Sequence, residues 1–205
     1  DAGYTPKSVH DQSVGIFVGV MSNMYDKLHT RIEGATLSPF ASHASIANRT
    51  SYQFDLHGPS LALDTMCSSS LTAIHLACES LWRGESAMAL AGGVNVMVHP
   101  DKYVTQSLSG WFSTDGRCRS FGAGGDGYVP GEGVGAVLLK RVSAAERDGD
   151  HIYGLIRASA VNHNGRTNSY FVPSPTAQAD VLRKAWTRAG VDPRRLLRAA
   201  AVDGH

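Results

Sequence analysis

The chain has 205 residues, enough for one large domain or two small ones. An apolar share of 42% and a charged share of 18% suit a chain that folds around a buried core. The 19 Lys and Arg nearly cancel the 18 Asp and Glu, and their scatter excludes a basic nucleic-acid-binding face.

In chain order, Val14 to Val20 is a short, β-branched, apolar run, expected as a strand buried on both faces. Met21 to Ser38 reads as loop with at most a short helix, and Ser42 to Arg49 as a helical turn or two. His57-Gly58-Pro59-Ser60 marks a turn before a strand at Leu61 to Asp64. Ser68 to Arg83 is a helix: Leu71, Ile74, Leu76, Ala77, Cys78 and Leu81 are spaced for burial, and Gly84 stops it. Ala87 to Val98 is a second buried strand, interrupted by Gly92-Gly93. The glycine-dense stretch 110–135 is expected to be a functional loop running into a packed strand, Val134 to Leu139. Ile152 to Val161 reads as another strand, and Ala177 to Ala189 as a helix begun after Pro175 and closed by Gly190. Basic residues gather only at Arg183 to Arg198, expected as a solvated helix face. Strands alternate with helices and are apolar throughout, the pattern of a layered α/β protein with covered sheets. With no repeat and no linker, residues 1–205 are taken as one domain.

No apolar run nears the roughly 18 residues of a membrane span, and no signal peptide opens the chain. Cys67, Cys78 and Cys118 cannot all pair and include no C-x-x-C, which argues against a disulfide framework or zinc site and for a reducing cytoplasm. No His, Asp and Glu set has metal spacing along the chain. The opening Asp1-Ala2-Gly3-Tyr4 reads like the middle of a longer polypeptide.

Asp64-Thr65-Met66-Cys67-Ser68-Ser69-Ser70 lies between a strand and a helix. A cysteine there sits by unpaired amides and the positive end of the helix dipole, conditions that favour thiolate, the nucleophilic form. The tight turn lifts it off the sheet as in nucleophile elbows, and the three serines leave room for a substrate. The plain alternative is a buried structural cysteine. Cys78, inside the helix, is expected to be buried, and Cys118 lies in the glycine-rich loop. His75 is eight residues of helix from Cys67, about 12 Å of rise, too far to act as its base. His163, within Asn162-His163-Asn164, is expected to be structural. The glycines at 122, 124, 125 and 127 precede a strand and contain no G-x-x-x-x-G-K-[ST], so they serve backbone geometry rather than phosphate binding.

Leu63 to Ser70 resembles the active-site signature of β-ketoacyl synthases. Phe121-Gly122-Ala123-Gly124-Gly125-Asp126-Gly127-Tyr128-Val129-Pro130-Gly131-Glu132-Gly133 is similar to the family's glycine-rich loop. Asn162-His163-Asn164-Gly165-Arg166-Thr167-Asn168, continuing to Pro173-Ser174-Pro175, resembles a third family stretch. The motifs stand in family order, and the resemblance runs from about Asp1 to Arg194. The wording of the last two is most similar to modular polyketide synthases whose acyltransferase acts in trans.

The resemblance implies an α/β, thiolase-like layered αβαβα fold, of which this chain carries mostly the first half, without the N-terminal boundary and the C-terminal part. It implies a homodimer among neighbouring polyketide synthase domains, with no nucleic-acid or membrane partner and no resident cofactor. Acyl substrates arrive on the phosphopantetheine arm of an acyl carrier protein. Cys67 would accept the acyl group, and a malonyl unit would lose carbon dioxide and attack the thioester in a decarboxylative Claisen condensation. Two backbone N–H groups would steady the oxyanion, one from Cys67 and one from a later segment. A non-elongating relative would keep Cys67 yet only hold or transfer the acyl chain. A degradative thiolase would use a similar cysteine, but the glycine-rich loop and the Asn162 motif argue against it. The matching Glu, Glu132, would support the lysine and histidine network without touching substrate; otherwise it is a loop carboxylate in water. His205 falls near the first family histidine, after Gly190-Val191-Asp192-Pro193, although Arg195 to Ala201 is longer and more basic than family sequences. It is either that catalytic histidine, donating to the malonyl thioester carbonyl, or a chance terminal one. A piece lacking half its fold would also have no independent activity and would fold poorly alone.

Overall fold

The structure is a computed structural model that describes residues 2–32, 35–37 and 41–194. The chain divides into two compact units, one of residues Tyr4–Lys140 and one of Arg141–His205 with Asp1–Gly3.

The larger unit is built on a four-stranded sheet. Its strands are β1 (Val14–Gly19), β4 (Ser60–Leu63), β5 (Met88–Asn95) and β6 (Gly133–Lys140), in the order β4-β1-β5-β6. β1 runs parallel to β4 and β5, while β6 closes the edge antiparallel to β5. β1 is the central, buried strand, as its unbroken apolar run requires. Helix α3 (Ser69–Arg83) packs on β1 and β5, and α2 (His43–Phe54) on β4 and β1. The core joins Phe17 to Ala73, Ala77, Leu81, Ala89 and Ala91, flanked by Leu63, Ile74 and Leu139. Small alanines on facing surfaces let helix and sheet approach closely. Burying Phe17 and Leu81 contributes about 1.5–3 kcal/mol each. A second cluster, Val9, Val14 and Met88, seats α1 (Pro6–Val9).

Two glycines set how α3 meets the sheet. A Cβ on Gly19 would lie 2.4 Å from the Ser69 carbonyl carbon, and one on Gly93 would lie 2.8 Å from the Ser70 Cβ. The first turn of α3 therefore rests directly on the backbone of β1, a contact only glycine permits.

Several elements differ from expectation. A hairpin of β2 (Thr30–Ile32) and β3 (Ala35–Leu37) occupies the stretch read as loop, after a single 3-10 turn at Tyr25–Lys27. α2 extends to Phe54, three turns rather than one or two, because Asp55 closes it in the left-handed conformation. Gly92-Gly93 do not interrupt β5. Gly92 instead lets β6 come close, since a Cβ there would lie 2.1 Å from the Gly135 carbonyl oxygen. β6 forms as expected but is not packed: Val134 and Val137 remain exposed. α4 (Asp101–Leu108) was not anticipated. Polar or exposed residues fill most of it, so its sequence carries little apolar periodicity.

In the smaller unit, α5 (Val142–Asp148) ends at the left-handed Gly149. α6 (Pro175–Ala189) begins at Ser174, whose Oγ accepts from the Ala177 amide at 3.2 Å, and ends at the left-handed Gly190. Its Arg183 and Arg188 are exposed, as expected of a solvated face. Ile152 to Val161 does not form a strand. No strand among the described residues lies beside it, and Tyr153 and Leu155 are exposed; β-branched composition cannot hold an extended segment without a pairing partner. Asn162 Nδ2 donates to the Ala177 carbonyl at 2.7 Å, and Arg188 donates to the Ser159 carbonyl at 2.9 Å, tying this irregular segment to α6.

Candidate active site

The chain turns from β4 into α3 over Asp64 to Ser68, and the turn is held by its own side chains. Met66 sits in the left-handed region at φ 58, a conformation that costs a non-glycine residue on the order of 1–2 kcal/mol. Four hydrogen bonds hold it there. The Asp64 carboxylate accepts from the Met66 amide at 2.7 Å. Ser69 Oγ accepts from the Thr65 amide at 2.9 Å and donates to the Met66 carbonyl at 2.6 Å. Ser68 Oγ donates to the Thr65 carbonyl at 2.7 Å. The strained residue precedes the cysteine, so the bend presents the next side chain outward.

That side chain is Cys67, and it is exposed. The reading of Cys67 as a buried structural cysteine is excluded. It lies immediately before Ser68, the N-cap of α3, whose hydroxyl makes no cap bond and whose helix has no acidic residue in its first turn. The positive end of the helix dipole is thus not offset by a carboxylate of its own first turn. Cys78, by contrast, is buried, and burial, with Glu79 adding to it, pushes its thiol up. Cys118 is exposed in the glycine-rich loop, where its sulfur accepts from the Val129 amide at 3.1 Å.

Cys67 opens on a cavity of about 770 Å³ walled by Met21, Met66, Ile74, Tyr128 and the backbone of β5 and β6. A volume of that size suits an extended, largely apolar ligand. The glycine-rich stretch builds one wall. Tyr128 bridges Phe112, its ring stacks edge-on against Phe112 at 5.3 Å, and its hydroxyl donates to Gln106 of α4 at 2.5 Å. Burial pushes the Tyr128 hydroxyl up, opposed by the Gln106 bond, with Cys67 contributing in the same direction as burial. Gly127 is required there, since a Cβ would lie 2.4 Å from the Phe112 carbonyl carbon.

Glu132 lines the same cavity and accepts from the Met97 amide, so the structure brings Cys67 and Glu132 to one site. A lysine lines it too, one the sequence reading missed. Lys102 of α4 is 8% exposed and donates from Nζ to Asn95 Oδ1 at 2.8 Å; the Asn95 amide in turn donates to the Gly131 carbonyl. A buried ammonium needs such a partner, but nothing in the linear pattern around Lys102 announces burial. His205 lies outside the described residues. His163 accepts from the Gly165 amide at 2.9 Å and so shapes its own turn, as a structural histidine does. Folding also assembles what spacing along the chain hid: His10, Asp55 and His57 converge with their donor atoms within 4.8 Å of one another.

A family model for the N-terminal domain of β-ketoacyl synthases matches residues 1–145, and one for the C-terminal domain matches residues 153–199. The chain belongs to the β-ketoacyl synthase family. Polyketide synthase PksL of Bacillus subtilis strain 168 is 58% identical over 203 residues, 95% of this chain and 4% of that protein. Polyketide synthase ThaG of Burkholderia thailandensis is 57% identical over 196 residues, 94% of this chain and 4% of that protein. Among solved structures, the oxazolomycin ketosynthase domain OzmH KS7 of Streptomyces albus JA3453 matches with a TM-score of 0.88 at 53% identity. It covers 94% of this chain, which spans 34% of that structure. The ketosynthase from module 6 of the bacillaene synthase of Bacillus subtilis 168 matches at 0.85 and 40%, with 94% and 33% covered. The α/β, thiolase-like class expected for this β-ketoacyl synthase chain is that of these ketosynthase neighbours.

Proposed function

We propose that this chain is the nucleophile-bearing part of a ketosynthase of a modular polyketide synthase, of the kind served by an acyltransferase in trans. The observation that carries the reading is an exposed cysteine on a braced, strained elbow at the mouth of an apolar-walled cavity. In this reading Cys67 Sγ attacks the carbonyl carbon of an acyl thioester brought on the phosphopantetheine arm of an acyl carrier protein. The carrier thiol leaves with the proton lost from Cys67. A malonyl-type extender on carrier protein then breaks its C–C bond to carbon dioxide, and the enolate carbon attacks the Cys67 thioester. The C–S bond breaks, and Cys67 is free again. The Cys67 amide takes one side of the oxyanion. Glu132 orients neighbouring charged groups without touching substrate, and His205 donates to the malonyl thioester carbonyl. The protein acts in the cytoplasm as a homodimer, next to other synthase domains.

The test is intact-mass analysis of the complete ketosynthase after exposure to an acyl thioester, with carbon dioxide release from malonyl carrier protein measured in parallel. An acyl adduct that Cys67→Ala abolishes supports the nucleophile. Carbon dioxide release that His205→Ala abolishes supports condensation. Loading without release would replace elongation by acyl transfer alone, and no adduct on Cys67 would overturn the reading.

A further inference from the structure

The three side chains His10, Asp55 and His57 come from separate places in the larger unit, and none of them lines the Cys67 cavity. His10 follows α1 as its C-cap, Asp55 is the C-cap of α2, and His57 stands in the turn before β4. Both imidazoles aim Nε2 at one carboxylate: His10 at Asp55 Oδ2, 3.1 Å, and His57 at Asp55 Oδ1, 3.4 Å. Two ligands about 2.0–2.1 Å from a tetrahedral zinc stand about 3.3 Å apart. Each span from the carboxylate to an imidazole is close to that separation, taken at a different oxygen for each ring. One atom from each residue can be chosen so that all three lie within 4.8 Å of one another.

The supporting groups fit as well. His10 Nδ1 lies 3.2 Å from Asp11 Oδ1. A metal-bound histidine almost always gives its other ring N–H to a carboxylate, and Asp11 is placed to take it. The turn that carries the other two ligands is pinned: the Gly58 amide donates to the Val14 carbonyl at 3.1 Å, and a Cβ on Gly58 would lie 2.4 Å from the Val14 carbonyl carbon. Asp55 keeps a left-handed backbone, φ 53, with the Leu56 amide bonded to the Ser51 carbonyl at 2.9 Å. The backbone that carries Asp55 and His57 is thus fixed, and all three ligand side chains are exposed to an arriving ion.

We propose that His10, Asp55 and His57 bind one divalent zinc-class ion through two imidazole nitrogens and one carboxylate, with water in the fourth position. The ion clips the ends of α1 and α2 to the entrance of β4, the strand that leads to the Cys67 elbow. Two imidazoles and one carboxylate, with no thiolate, suit zinc rather than calcium or magnesium, which prefer all-oxygen shells.

The experiment uses the complete ketosynthase, stripped of metal and dialysed against zinc, with bound zinc counted by mass spectrometry. Cobalt(II) is then substituted for its visible d–d absorption. The wild type should bind one zinc more per chain than Asp55→Asn, a substitution that keeps both the left-handed backbone and the shape of the side chain. His10→Gln and His57→Gln should each weaken binding by at least about tenfold. The zinc should survive Cys67→Ser and Cys118→Ser, and the cobalt spectrum should lack a thiolate charge-transfer band. Equal zinc in wild type and Asp55→Asn, or loss of the ion with either cysteine, would overturn the proposal. Far-UV circular dichroism checks that each variant is folded, and an unfolded His10 or His57 variant leaves the Asp55→Asn comparison decisive.

Discussion

The reactivity of the three cysteines follows from where the chain puts each sulfur. Cys67 is thrust outward by the bend at Met66, Cys118 lies in an exposed loop, and Cys78 faces the core beside Ala77 and Leu81. A thiol reacts through its thiolate, so a raised pKa keeps Cys78 protonated to higher pH than an ordinary cysteine. Iodoacetamide at neutral pH is expected to modify Cys67 and Cys118 and to spare Cys78, as read by peptide mass mapping. Ser69 belongs to the same scale. Its buried hydroxyl is both the acceptor for Thr65 and a donor to Met66, and removing it leaves a part-buried amide without that partner. Ser69→Ala should cost about 1–3 kcal/mol in denaturant unfolding and slow acylation of Cys67, because the strained Met66 loses its brace.

At the scale of elements, the same substitution should have opposite effects at two glycines. Gly19→Ala drives a methyl into the backbone of Ser69 and Ser70, so β1 and α3 must part. The expected loss is at least about 1–3 kcal/mol in denaturant unfolding, with a fall in Cys67 acylation because the elbow moves with the helix. Gly131→Ala meets nothing within 4 Å and has no left-handed φ. It should leave stability unchanged or raise it by about 0.4–1 kcal/mol through the unfolded chain. The glycine-rich loop holds a second element-scale test. Arg119, first, and Ser113, next, hydrogen-bond the Asp115 carboxylate and pull it down to about 2. The folded loop therefore favours the charged form. Its contribution to stability is present above the usual Asp range near pH 3.9, and is lost as the pH falls from there through about 2. An NMR titration of the Asp115 carboxyl should show the depressed midpoint, and Arg119→Gln should return it toward the ordinary value.

β1, α3 and α6 were legible in the sequence because each buries a regular apolar pattern or carries a terminal signal: Gly84 and Gly190 at the C-termini, Ser174 and Pro175 at an N-terminus. α4 was not legible, since its one buried residue is Lys102 and Tyr103, Val104 and Leu108 stay exposed. Cys67 was legible from its place between strand and helix, and Glu132 from the loop motif. Lys102 and Asn95 joined the site only through tertiary contacts that no local pattern encodes. The His10, Asp55 and His57 cluster was hidden for the same reason: chain ends of α1 and α2 meet only when the sheet forms.

The whole molecule leaves much apolar surface uncovered. Val134 is 75% exposed on β6, a strand at the sheet edge, and Tyr153 and Leu155 stand out from the 152–161 segment. The chain also spans about a third of the solved ketosynthases that it matches. An open strand edge offers unpaired N–H and C=O groups to another chain, and a large apolar patch drives association. The 205 residues expressed alone are therefore expected to self-associate, to bind a hydrophobic dye such as ANS, and to melt broadly. The complete ketosynthase should show none of these in the same buffer. Size-exclusion chromatography with light scattering, dye fluorescence and calorimetry measure the difference. A monomeric 205-residue chain with a single sharp transition and no dye binding would mean that β6 and the 152–161 segment are stable as exposed surface.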